Sequence, residues 1–176
     1  LLKKGIGTIR DFKQAEKMLI KGALRGHLDS QKELGFLYYD FKEYRDYTKS
    51  VYWFKKGSLY DDQECCLYLG IIYFSGGYGV NKDLSLSYKY FRLSTNMKKG
   101  LAESYLGDIY MYGLGKQPKN ISIGIKYYKI AAAKGEKVAQ YSLGLYNHQG
   151  TFPEEIPKNM LLAIDWYSKS AQQNYG

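Results

Sequence analysis

Nucleophilic and metal-ligating chemistry is sparse in this chain and poorly placed. Cysteine occurs only as the adjacent pair Cys65 and Cys66, and histidine only as His27 and His148, far apart in sequence. A tetrahedral zinc site needs four such side chains to converge. A hydrolytic or redox reaction through Cys66 or His148 is the one enzymatic reading open, and nothing flags a lowered thiol pKa. The glycine pairs Gly77/Gly79 and Gly113/Gly115 could suggest a phosphate loop, but they lack the strand, the Lys and the further Gly that one requires. No catalytic residue, metal site or cofactor is therefore expected.

What the sequence does supply is a repeat. Leu-Gly recurs at Leu34-Gly35, Leu69-Gly70, Leu106-Gly107 and Leu143-Gly144. A bulky pair recurs at Met18-Leu19, Trp53-Phe54, Tyr90-Phe91, Tyr127-Tyr128 and Trp166-Tyr167, in steps of 35 to 39 residues. A unit of that length cannot bury its apolar face alone, so neighbours must stack.

Further columns follow from the alignment. Seven residues before the bulky position stand Asp11, Asp46, Asp83, Asn120 and Asn159, side chains that can accept from the free N–H groups at a helix start. Three residues before it come Ala15, Ser50, Ser87, Gly124 and Ala163. Four and five residues after it come Gly22-Ala23, Gly57-Ser58, Ser94-Thr95, Ala131-Ala132 and Ser170-Ala171.

Small side chains at helical spacing, with a ring between them, define one helix of each unit, helix B. Helix A carries Leu-Gly, preceded by a small residue (Ser30, Cys65, Ala102, Ala139), with Tyr38, Tyr73 and Tyr110 three places after the Gly; Asn147 holds that column in the last unit. Cys65 thus reads as a buried core residue, and His27 as an exposed residue between repeats.

The spacing predicts nine helices: helix B over about 11–25, then A/B pairs over 28–60, 62–98, 100–134 and 137–173. All three prolines fall between helices, where they interrupt no helical hydrogen bond. The repeat units run over about 1–26 (partial), 27–60, 61–98, 99–135 and 136–176. Together they predict one all-α solenoid over 1–176, cut out of phase at both ends like part of a longer array.

Hydrophobic content of 45% and charged content of 24% suit a globular chain, and no apolar run is long enough to span a bilayer. The net charge of +9 favours acidic partners without identifying one.

The columns resemble the Sel-1-like repeat, a relative of the tetratricopeptide repeat. The resemblance rests on Ala102, Leu106-Gly107, Tyr110, the turn glycines Gly113 and Gly115, the Asp or Asn cap, and the helix B run from Ile125 to Ala132. It implies a right-handed α/α superhelical solenoid of about four and a half repeats, with helices A lining the inner face. Family members are mostly adaptors and scaffolds, so the resemblance implies a protein–protein interaction module and not an enzyme. Immunity proteins that neutralise secreted effector enzymes are an alternative. A secretory, periplasmic or endoplasmic-reticulum setting is implied by the same analogy.

By analogy with the parent repeat, positions one and four after the helix A Gly should face the partner. These are Phe36, Ile71, Asp108 and Leu145, then Tyr39, Phe74, Met111 and His148. Such an apolar stripe suits an apolar or aromatic segment of a partner protein. A second regularity is one cation before each cap: Arg10, Arg45, Lys82, Lys119 and Lys158. That row would suit a polyanion. Nucleic acid is not expected, because the aromatics that would stack on bases belong to packing columns.

Overall fold

The computed structural model describes residues 9–173, with side chains from Phe12 onward. Gly5-Ile6-Gly7, whose spacing matches the glycine-rich turns of the later repeats, and the side chains of Arg10 and Asp11 lie outside the described residues. Nine α-helices and no strand occur among the described residues. The chain divides after Asp83 into two units. The first holds α1 (Ile9–Leu24), α2 (Leu28–Asp40), α3 (Tyr47–Ser58) and α4 (Gln63–Ser75); the second holds α5 (Leu84–Leu93), α6 (Leu101–Tyr112), α7 (Ile121–Ala133), α8 (Lys137–Gln149) and α9 (Met160–Gln172). Even-numbered helices are the A helices and odd-numbered ones the B helices.

In three of the four Leu-Gly pairs the glycine is a place where a ring lies on bare backbone. A Cβ on Gly107 would stand 2.9 Å from the Tyr128 ring, one on Gly144 2.8 Å from the Tyr167 ring, and one on Gly35 would run into Phe54. The small column three places before the bulky pair is buried at Ser50, Ser87, Gly124 and Ala163, and Ser50 Oγ donates to the Gly35 carbonyl at 2.9 Å. Between successive repeats the contacts are small on small: Gly57 meets the Cys65 thiol, and Gly22 meets the Ser30 hydroxyl.

Three of the expected caps form. Asp46, Asn120 and Asn159 accept from the N–H groups of Lys49, Ile123 and Leu162 at 3.0, 2.9 and 3.0 Å. Asp83 directly precedes α5. The cap expected at Asp11 is a correction, since α1 already begins at Ile9. The sequence reading missed a second set on helix A, where Asp62 and Glu136 accept from Cys65 N and Ala139 N at 2.9 and 2.6 Å.

Three helices A end in glycines of positive φ, Gly76, Gly113 and Gly150, with φ of 69°, 66° and 66°, the last two left-handed helical. Only glycine takes that conformation cheaply. The first unit has no such glycine at the end of α2. There Phe41 is extended and a 3₁₀ turn, Lys42–Tyr44, brings Phe41 and Tyr44 onto Phe12, with ring centroids at 5.2 and 4.1 Å.

One helix B is shorter than its period suggests. α5 ends at Leu93 and the chain crosses to Leu101 by an irregular linker. The Lys134 ammonium holds that linker, donating to the carbonyls of Thr95 (2.6 Å) and Met97 (3.0 Å) and to Glu103 (2.5 Å). Three donors meet three acceptors.

Two stability predictions follow from this packing. Gly107→Ala should cost about 1–3 kcal/mol in urea unfolding, because the Tyr128 ring must move off its site. Lys134→Met should cost about 3–5 kcal/mol, by stranding the buried Glu103 carboxylate, and adding Glu103→Leu should restore most of the loss in the same assay.

Candidate partner-binding surface

In the first unit, α2 places Phe36 and Tyr39 on one face, and both are half-buried by other rings. Phe36 lies edge-on to Phe54 (5.1 Å) and to Tyr68 of α4 (4.8 Å). Tyr39 stacks on Tyr47 of α3 at 5.3 Å and meets Tyr68 edge-on at 5.0 Å. Tyr47 in turn meets Tyr78 of the following turn at 4.9 Å. The result is a continuous set of part-exposed rings, rigid because each is held by its neighbour at the distances favoured by aromatic quadrupoles.

Arg45 anchors the edge of this set. Its Nε donates to the Tyr39 carbonyl at 2.9 Å and its guanidinium lies 5.2 Å from the Tyr78 ring centroid. Ile71 and Phe74 of α4 are half-buried, and the Lys82 ammonium stands 5.6 Å from the Phe74 ring. Two members of the predicted charge row are therefore engaged with rings. Lys119 and Lys158, the row's members in the second unit, are exposed.

The second unit treats the same columns differently. Asp108 is half-buried and accepts from Tyr128 Oη; burial pushes its carboxyl above the ordinary range, with Glu136 adding to the rise. Leu145 is half-buried and His148 is exposed on α8, its ring 6.4 Å from that of Tyr167. Met111 requires a correction. It is only 4% exposed and fills the space beside Gly124, where a Cβ would stand 2.8 Å from its sulfur, so it belongs to the core with Ile125 and Tyr128 and is closed to a partner.

The residues that sequence reasoning missed are Tyr47, Tyr68 and Tyr78. A signal for Tyr68 existed, because the position before Leu-Gly is tyrosine in two repeats, Tyr68 and Tyr105. Both lie on the ring of the preceding helix B, Tyr68 on Phe54 at 5.5 Å and Tyr105 on Phe91 at 4.5 Å.

Both thiols are buried, Cys65 fully and Cys66 at 3% exposure. Burial, with Asp62 adding to it, raises the Cys65 thiol, and it pushes Cys66 up to about 11. Among the described residues no group of three or more His, Cys, Asp or Glu is placed to hold a metal ion, and no helix is long and apolar enough to cross a membrane.

A family model described as Sel1 repeat matches residues 1–27, 28–59, 63–98, 100–136 and 137–175. A Sel1 repeat protein from Oxalobacter formigenes is similar in structure, with TM-score 0.80 and 26% identity over 97% of this chain and 68% of that one. Also similar is c5321, a protective antigen of uropathogenic Escherichia coli displaying an SLR fold, with TM-score 0.73 and 28% identity over 90% of this chain. The chain spans 33% of c5321. The immunity protein Pa5087 of Pseudomonas aeruginosa, at 17% identity and TM-score 0.46, is too distant to inform function. No curated protein is significantly similar in sequence.

The thiol environment yields a chemical prediction. With a pKa near 11, about a thousandth of Cys66 is thiolate at pH 8. A disulfide reagent at pH 8 should therefore modify neither cysteine of the folded chain within minutes and both on addition of urea; fast labelling of one thiol in the native protein would contradict this burial.

Proposed function

Because the chain belongs to the Sel1 repeat family, whose model matches it in five segments, we propose that it is a non-catalytic scaffold that holds a partner protein on its helix A face. The observation that carries this reading is the ring set of the first unit, Phe36, Tyr39, Tyr47 and Tyr68, half-exposed on rigid helices and edged by Arg45. Aromatic side chains already fixed in place lose little entropy on binding and offer large apolar area, which is the chemistry of interface hot spots.

Ile71 and Phe74 extend the surface along α4. In the second unit Asp108, Leu145 and His148 are the corresponding positions, and Asp108 adds a hydrogen-bonding group already engaged by Tyr128. Buried, high-pKa thiols support a binding role over a chemical one.

The reading predicts a loss of affinity in alanine variants once a partner is isolated by affinity capture. Tyr39→Ala and Phe74→Ala should each weaken binding by about 2 kcal/mol or more, roughly thirtyfold, in calorimetric titration while helicity by circular dichroism is kept. Unchanged affinity in both aromatic variants would remove the helix A face from consideration.

A further inference from the structure

The outward faces of the B helices carry a pattern that the helix A surface does not use. On α1, Lys17, Lys21 and Leu24 lie on one exposed face; thirty-five residues on, α3 repeats it as Tyr52, Lys56 and Leu59. The spacing of three and four residues puts each set in line on its helix. Leu24 is 73% exposed, Leu59 77% and Tyr52 52%. Arg25 and Tyr60 follow the two leucines and are also exposed.

Negative charge is missing from these stretches. No Asp or Glu occurs from Lys17 to Gly26 or from Tyr47 to Tyr60. Of the nearby carboxylates, Glu16 accepts from the Tyr38 hydroxyl, Asp46 caps α3, and Asp62 pairs with Lys32 at 3.0 Å, while Asp61, two residues past Leu59, is exposed. Unlike the ring set, the two leucines are single aliphatic side chains standing out from the ends of helices, flanked by lysines whose stems can lie along them.

We propose that the outward face of α1 and α3 is a docking surface for an anionic lipid bilayer. Lysines at headgroup depth gain from the negative surface potential, and exposed leucine and tyrosine side chains suit the boundary between headgroups and acyl chains. The face pairs its lysines with two exposed leucines, which suit acyl chains and offer a base nothing to stack on; Tyr52 and Tyr60 are the side chains on which a base could stack, so duplex DNA enters the test as a competitor. This face is separate from the helix A ring set, and among the described residues no helix is long and apolar enough to cross the bilayer. In the second unit the B helices show the same character separately, with exposed Lys89, Arg92 and Leu93 on α5 and exposed Lys126, Lys129 and Ile130 on α7.

Co-sedimentation of the whole chain with phosphatidylcholine vesicles, with and without phosphatidylserine, tests this. Wild type should bind only the phosphatidylserine vesicles, more weakly as salt rises. Lys17→Ala/Lys21→Ala/Lys56→Ala should lose roughly a hundredfold, at about fivefold per cation. Leu24→Ser/Leu59→Ser should keep the salt dependence and lose severalfold in affinity, and all variants should keep wild-type helicity because every changed side chain is exposed. Absence of binding to phosphatidylserine vesicles overturns the proposal. So does a leucine variant that binds like wild type while polyglutamate or duplex DNA competes fully, which would make the face a polyanion site.

Discussion

A ring lying on bare backbone is the contact on which the rest of this structure depends. At Gly107 and Gly144 the missing side chain is the space that Tyr128 and Tyr167 occupy, and at Gly35 the ring is Phe54. Because glycine costs a helix up to about 1 kcal/mol relative to alanine, a helix A with Gly at its centre forms only where a neighbour repays that cost through packing. The ring and the glycine therefore require each other. That mutual requirement fixes the angle and depth at which A and B meet, and with them the faces that each leaves exposed.

Backbone hydrogen bonds then set the register independently of side-chain identity. The N–H of each cap residue donates to the carbonyl three places after the helix A glycine: Asp46 to Tyr38, Asp83 to Tyr73, Asn120 to Tyr110 and Asn159 to Asn147, at 2.8 to 2.9 Å. Asn147 can stand where the other repeats have tyrosine because its carbonyl, not its side chain, makes the recurring bond. Its own amide turns inward to the Leu143 carbonyl at 2.8 Å. A similar freedom governs the buried column Gln31, Cys66, Glu103 and Gln140. The glutamines tie helix A to the preceding helix B through the carbonyls of Ala23 and Ala132, and Glu103 does its tying through Lys134 instead.

These two levels explain what was legible beforehand. The helices, the Leu-Gly contacts and three of the caps could be read from spacing because each depends on residue size or capping chemistry at a fixed position. The short α5 could not, because the Lys134 clasp that holds its linker joins residues from different repeats and has no periodic counterpart. The surface was half legible. Phe36, Tyr39, Ile71 and Phe74 stay part-exposed, but Met111 went to the core, since its repeat has Gly124 opposite it and a flexible thioether fills that gap. Periodicity gives the direction in which a side chain leaves its helix; what it meets depends on the neighbouring column.

Charge in the first unit follows the same division of faces. Apart from Asp11 and Glu16 of α1, its acids lie on the helix A side and in the turns, with exposed Asp29 and Glu33 on α2 and exposed Asp61 before α4, whereas α3 has lysines and no acid at all. The net charge of +9 therefore does not describe the helix A surface, where Lys32 is already matched by Asp62 and Glu64 at 3.0 and 2.9 Å. The proposed partner surface is instead defined by its rings and by Arg45. The B helices α1 and α3 carry exposed cations at Lys17, Lys21, Lys55 and Lys56, and the field of such charges is screened over about 8–10 Å at physiological salt. The ring-on-glycine contact uses the facing sides of A and B and leaves their far sides free to differ in charge and in apolar character.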